Sequence, residues 1–122
     1  MPEFLRGEQL KTYLGKTVEI HIDRPIGYVH KKEKYSLVYP INYGYIPGVL
    51  GGDGEELDVY LLGLDKPVEV YKAKIIAIVY RQNDVEDKLV AAPENYSFTK
   101  EEIEKAISFQ EQYYDSEVEV LL

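Results

Sequence analysis

Apolar and polar residues alternate along much of this chain. Over residues 17–22, Val18, Ile20 and Ile22 fall on one face and Thr17, Glu19 and His21 on the other, the period of a half-buried strand that Pro25 then ends. Residues 35–39 form a second candidate strand, closed by Pro40. A third spans 57–62, with Leu57, Val59 and Leu61 facing one way and Asp58 and Tyr60 the other. Two more follow at 68–72 and 74–80; the apolar run Ile75-Ile76-Ala77-Ile78-Val79 suits a central strand covered on both faces. Residues 88–92 and the alternating 117–122 complete the set, the last read as a paired strand. The period changes after Thr99. Thr99-Lys100-Glu101-Glu102 reads as a capping box, and Ile103, Ala106, Ile107, Gln110 and Tyr114 recur at helical spacing, with Phe109 and Tyr113 on the adjoining stripe. A shorter helix is expected over 5–14, with Gly15 as its left-handed cap. Many short strands and a late helix predict a mainly β, α+β fold: a small β-barrel with helices packed outside.

Composition narrows the function. With 122 residues, 45% of them apolar, the chain can bury one core, so residues 1–122 are expected to form a single domain. Twenty-two Asp and Glu against fourteen Lys and Arg give a net charge of −8, which argues against a nucleic-acid partner. The absence of cysteine excludes disulfides, thiolate metal sites and cysteine nucleophiles. No apolar run reaches the ~20 residues needed to span a bilayer, and the N-terminus has no secretory pattern. The expectation is a cytoplasmic protein with no membrane partner. Twelve tyrosines and no tryptophan stand out.

Candidate chemistry gathers in residues 39–58. Asp53, Glu55, Glu56 and Asp58 place four carboxylates within six positions. As plain scaffold, Asp53-Gly54 is a good hairpin turn and an acidic loop tip is simply solvated. As a site, like charges held together call for a cation, and oxygen-only donors suit hard ions such as Mg2+ or Mn2+. Removing one charge, as in Asp58→Asn, is then expected to relieve repulsion. Arg24 and the run from His30 to Lys34 form a basic patch, either a charge-balancing loop or a phosphate-binding one.

The wider string Tyr39-Pro40-Ile41-Asn42-Tyr43-Gly44-Tyr45-Ile46, followed by Asp53-Gly54 and Asp58, resembles the signature of the soluble family I inorganic pyrophosphatases. Lys88-Leu89-Val90-Ala91-Ala92-Pro93 resembles a later motif of that family, and the segment from Phe109 to Tyr114 its late helix. The resemblance covers residues 17–115. It implies an OB-like five-stranded β-barrel with flanking helices and metal-dependent hydrolysis of a phosphoanhydride, with inorganic pyrophosphate as the small-molecule substrate. It further implies Mg2+, with Mn2+ as the alternative, held by Asp53, Asp58, Asp84 and Glu86. Glu55 stands where the family makes its nucleophilic hydroxide. Tyr43 and Tyr113 match its active-site tyrosines, and Lys88 its phosphate-binding lysine. A homo-oligomer is left open.

The chain departs from that pattern. Glu55 and Glu56 replace an Asp-Pro pair, Tyr114 stands where a lysine is expected, and the segment before Tyr39 is short, so Arg24 and Lys32 are taken as the substitute cations. Fewer fixed cations leave a second reading: a protein that kept the fold and metal site, lost efficient hydrolysis, and senses a diphosphate or nucleotide.

Overall fold

The computed structural model describes residues 4–5, 7–51, 54–82 and 86–121. Nine strands, one 3-10 helix and one α-helix appear along them. After β1 (Phe4–Leu5) and a 3-10 helix (Gly7–Tyr13) come β2 (Thr17–Arg24), β3 (Val29–Lys31), β4 (Ser36–Val38), β5 (Asn42–Gly51), β6 (Glu56–Leu61), β7 (Val70–Arg81) and β8 (Lys88–Ala92). Helix α1 (Lys100–Glu111) and β9 (Ser116–Val120) end the order.

Five strands close on themselves. β5 pairs with β2, β2 with β7, β7 with β8, β8 with β6, and β6 back onto β5. Closure removes the free edges that a five-stranded sheet would otherwise expose. The predicted barrel is therefore present. β9 continues the edge of β7 beyond β2, pairing Val118 with Val79 and Glu117 with Tyr80. β3 and β4 form a separate hairpin. Among the described residues no helix is long and apolar enough to cross a membrane.

Alternation sorts side chains to the two surfaces of the barrel wall. Ile20, Ile46, Leu57, Val59, Leu61, Ala73, Ile75, Ile78, Leu89 and Ala91 fill the interior, and Leu10 of the 3-10 helix joins them. Tyr43, Tyr60, Leu62, Ile76, Ala77, Val79, Val90 and Ala92 form a second core on the outer surface, covered by Ile103 and Ile107 of α1. Asp58 and Lys88 share the phase of Tyr60 and Val90, so strand geometry alone turns both to the outer surface.

Strand β7 departs from simple alternation once. Its register with β8 shifts between Ile75 and Ala77, where Ile75 pairs with Ala91 and Ala77 with Val90. One extra residue at a bulge leaves two consecutive side chains on one face. Ile76 and Ala77 both face outward, and the interior series passes from Ala73 and Ile75 to Ile78. Arg81 consequently ends on the outer surface beside Asp58 and Lys88. The two strands expected at 68–72 and 74–80 are thus one bulged strand. A second difference is β5, a strand in a segment for which none is predicted. Gly44 lets it approach β2: a Cβ there would lie 2.0 Å from the His21 carbonyl oxygen. The expected helix over 5–14 is a 3-10 turn, ended by Gly15 at φ +86°.

Helix α1 begins as its sequence predicts. The Glu102 N–H donates to Thr99 Oγ1 (3.1 Å), and the Thr99 N–H donates to Glu102 Oε1 (2.8 Å). Its last turn buries Gln110 and Glu111 against the barrel.

Candidate active site

Two clefts meet at Asp58 on the outer surface. One, about 170 Å³, is lined by Arg24, Lys32, Tyr43, Asp58, Arg81, Glu86, Lys88, Gln110 and Tyr114. Four cations therefore face it against two carboxylates. The other, about 240 Å³, is lined among the described residues by Asp23, Tyr45, Glu55, Glu56 and Asp58, four carboxylates and no cation. Adjacent strands supply this polarity. The β2 register shifts between Ile22 and Arg24, and both Asp23 and Arg24 line the outer surface. Tyr45 pairs with Asp58 across β5 and β6.

Lys88 sits at the junction with 3% of its side chain exposed. Its Nζ donates to Tyr43 Oη (2.6 Å), to Asp58 Oδ2 (2.9 Å) and to Glu86 Oε1. Burial opposes charge on both acids. Hydrogen bonds from Glu86, Lys88 and Tyr43 nevertheless hold the Asp58 carboxyl below its ordinary value. Burial and the bond to Asp58 push Glu86 up to about 7, so near neutrality Glu86 is the member of the pair that takes a proton. Asp23 is raised by burial and by the charge of Asp58. Burial raises the Tyr43 phenol far above its ordinary range, which keeps it a neutral donor.

Behind the cationic cleft lies a buried polar layer. Arg81 grips Glu111 through Nε to Oε1 (3.0 Å) and Nη2 to Oε2 (2.5 Å), and its guanidinium lies 3.7 Å from the Tyr114 ring centroid. The Asp87 carboxylate accepts from the Arg81 backbone N–H (3.0 Å). It therefore serves the strand end and lines neither cleft.

The donors in the acidic cleft are all oxygens, the chemistry of a hard-cation site, and the mutual repulsion of Asp23 and Asp58 is what a cation relieves. Among the described residues no three carboxylates or imidazoles already converge as a metal cage. Asp53 and Asp84 lie outside the described residues.

A family model described as inorganic pyrophosphatase matches residues 11–118. The chain belongs to the inorganic pyrophosphatase family. An inorganic pyrophosphatase of Saccharolobus solfataricus is 45% identical over 64 residues, covering 49% of this chain and 37% of the relative. Soluble inorganic pyrophosphatase 2 of Chlamydomonas reinhardtii is 35% identical over 95 residues, covering 70% of this chain and 50% of the relative. The chain thus spans about half the length, or less, of these curated relatives. The crystal structure of inorganic pyrophosphatase from Ehrlichia chaffeensis superposes with a TM-score of 0.67 at 20% identity, over 88% of this chain and 87% of that one. The Helicobacter pylori enzyme gives 0.61 at 21% identity, over 98% and 88%. These structures share the barrel.

Within this pyrophosphatase fold, Arg24, Lys32, Tyr43, Asp58, Glu86 and Lys88 come together in one cleft, and Glu55 lies in its neighbour across Asp58. Tyr113 does not join them. It is half exposed and stacks on Tyr35 at 5.1 Å between ring centroids, while Tyr114 lines the cleft. The helix has ended by then, so helical spacing no longer says which of the two tyrosines turns inward. Sequence reasoning missed Arg81 and Asp23. Arg81 follows an apolar run whose phase the bulge shifts, and Asp23 lies at a strand end, some thirty positions before the acidic cluster of 53–58. Asn42, central to the motif, is structural: its Oδ1 accepts from the Ile26 N–H (3.1 Å) and its Nδ2 donates to the Lys66 carbonyl (3.0 Å).

Proposed function

We propose that this chain hydrolyses the phosphoanhydride bond of inorganic pyrophosphate, giving two phosphates, with Mg2+ or Mn2+. The observation that carries the reading is the opposed polarity of two clefts sharing Asp58. A diphosphate is a dense anion that travels with hard cations. The cationic cleft suits the phosphates and the acidic cleft suits the ions. Asp58, Asp23, Glu56 and Glu86 would hold the ions, and the sequence motif adds Asp53 and Asp84 as further candidates. Such an ion neutralises substrate charge and acidifies water.

The chain's own residues do the rest. Glu55 accepts the proton of the attacking water as it adds to phosphorus. The bridging P–O bond breaks, and the departing phosphate is stabilised by Arg24, Lys32 and Lys88. Tyr43 keeps its proton and hydrogen-bonds Asp58, fixing that carboxylate at the boundary.

The test is phosphate release from pyrophosphate, tripolyphosphate, nucleoside di- and triphosphates and dinucleotides, each with Mg2+ and with Mn2+. Pyrophosphate is expected to be cleaved fastest, and only with a cation. Faster cleavage of a nucleotide reassigns the substrate. A ligand-induced rise in melting temperature with no turnover across the whole set makes the chain a binding protein.

A further inference from the structure

Two arginines reach the cationic cleft from different strands, Arg24 at the end of β2 and Arg81 at the end of β7. A continuous chain of hydrogen bonds joins them. Arg24 Nη1 donates to Tyr39 Oη (2.5 Å), and Tyr39 donates to Gln110 Oε1 (2.7 Å). Gln110 Nε2 donates to Tyr60 Oη (2.8 Å), and Tyr60 donates to Glu111 Oε2 (2.5 Å), the carboxylate that Arg81 grips. Tyr39 and Tyr60 are fully buried and Gln110 nearly so.

The direction of every bond is fixed from the two ends. A guanidinium only donates and an ionised carboxylate only accepts, and each hydroxyl has one proton to pass on. Residue 110 must therefore accept from Tyr39 and donate to Tyr60. A primary amide does both. Glutamate has the same shape but, when ionised, no donor. Leucine has neither group. Both bonds that Arg24 makes leave from Nη1, to Tyr39 and to His30, so among the described residues Nε and Nη2 have no partner.

We propose that Gln110 is a positioning residue that locks Arg24 and Arg81 in one relative geometry, so that the cleft meets a diphosphate with both guanidinium groups already aligned. The inference rests on the diphosphate reading above. Preorganised donors capture an anion without the entropy cost of immobilising them at the moment of binding. Gln110 lines the cleft, but its amide oxygen and nitrogen are taken by Tyr39 and Tyr60, so it acts through those two hydroxyls.

The test is a double-mutant cycle. Gln110→Glu and Gln110→Leu are made in the parent and in an Arg24→Met background, with Tyr39→Phe as a third break in the chain. KM and kcat for Mg2+-pyrophosphate are measured, together with the calorimetric Kd of methylenediphosphonate, which cannot be hydrolysed. In the parent background each break is expected to raise KM and Kd about tenfold, the usual scale for one charge-linked hydrogen bond. The kcat is expected to move by less than about threefold. With Arg24→Met, the same substitutions should change KM and Kd by less than about twofold, because little remains to position. Native KM and Kd in a folded Gln110→Leu or Tyr39→Phe protein overturn the proposal, as do equal effects in both backgrounds. If Gln110→Leu does not fold, Tyr39→Phe decides. A parent that binds methylenediphosphonate without cleaving pyrophosphate loses the hydrolase reading, and the Kd cycle still decides the positioning role. A parent that neither cleaves nor binds overturns both.

Discussion

Lys88 holds three oxygen partners at once, and the consequences of losing it differ from those expected of a surface lysine. Asp58 and Glu86 share its ammonium in a nearly closed space. Lys88→Met leaves them facing each other without a counter-charge. Breaking a buried pair from one side costs about 3 kcal/mol, which urea unfolding should show as a lower midpoint. The same pairing revises the expectation for Asp58→Asn. The charge removed is one that Lys88 satisfies, so relief of repulsion does not follow. Glu55 offers the opposite case. It is exposed, so Glu55→Gln should leave the melting temperature unchanged while phosphate release from pyrophosphate falls by about 10²-fold, the scale of losing a general base. Asp58, Glu55 and Lys88 were legible as residues because alternation along a short strand gives direction and the motif gives chemistry. Arg81 was not. Its orientation depends on a register shift set by the neighbouring strand, and a single sequence does not display its neighbours.

At the scale of elements, β2 and β5 depend on a glycine. Gly44→Ala would drive a methyl into the His21 carbonyl, and the strands must separate or buckle. A loss of about 3 kcal/mol in chemical denaturation is expected, at the upper end of overpacking effects. Tyr43 neighbours Gly44, and Arg24 pairs with Tyr43 across the same strands, so this break should also weaken methylenediphosphonate binding. The same stretch shows where sequence reading stops. Helix α1 declares itself because capping and periodicity are local. β5 carries Gly44, Pro47, Gly48 and Gly51, residues that argue for a turn, and it is a strand because β2 and β6 pair with it on either side. Tertiary pairing overrides propensity there.

Across the whole molecule, the outer core links the barrel to its helix through a charged pair. Burial would raise the Glu111 carboxyl, but bonds from Arg81, Ser116 and Tyr60 outweigh it, and Glu111 ends below its ordinary value of 4.5. A group whose folded value is depressed contributes fully above its unfolded value, and that contribution drains away as pH falls through the folded one. The Glu111 contribution, read as the difference in urea midpoint between parent and Glu111→Gln, should therefore hold from neutrality down to about pH 4.5 and shrink below it, while the raised Glu86 gives the parent a separate gain as pH falls from about 7. Glu111→Gln should lower the midpoint at pH 7 and flatten the acid limb, because the titrating contact between helix and barrel is gone.

The extra residue in β7 makes the cleft's composition a matter of counting as well as of identity. Ile76 is the position at which the strand takes two steps on one side. Deleting it would restore plain alternation and still leave Ala77, Val79 and Arg81 facing outward. Deleting Ile78, two positions on, with the bulge kept, would reverse everything after it: Arg81 would turn toward the apolar interior, and Tyr80 would take its place beside Asp58. Two deletions of one isoleucine each, within a single turn of the barrel wall, thus have opposite fates, and a survey confined to substitutions would reveal neither.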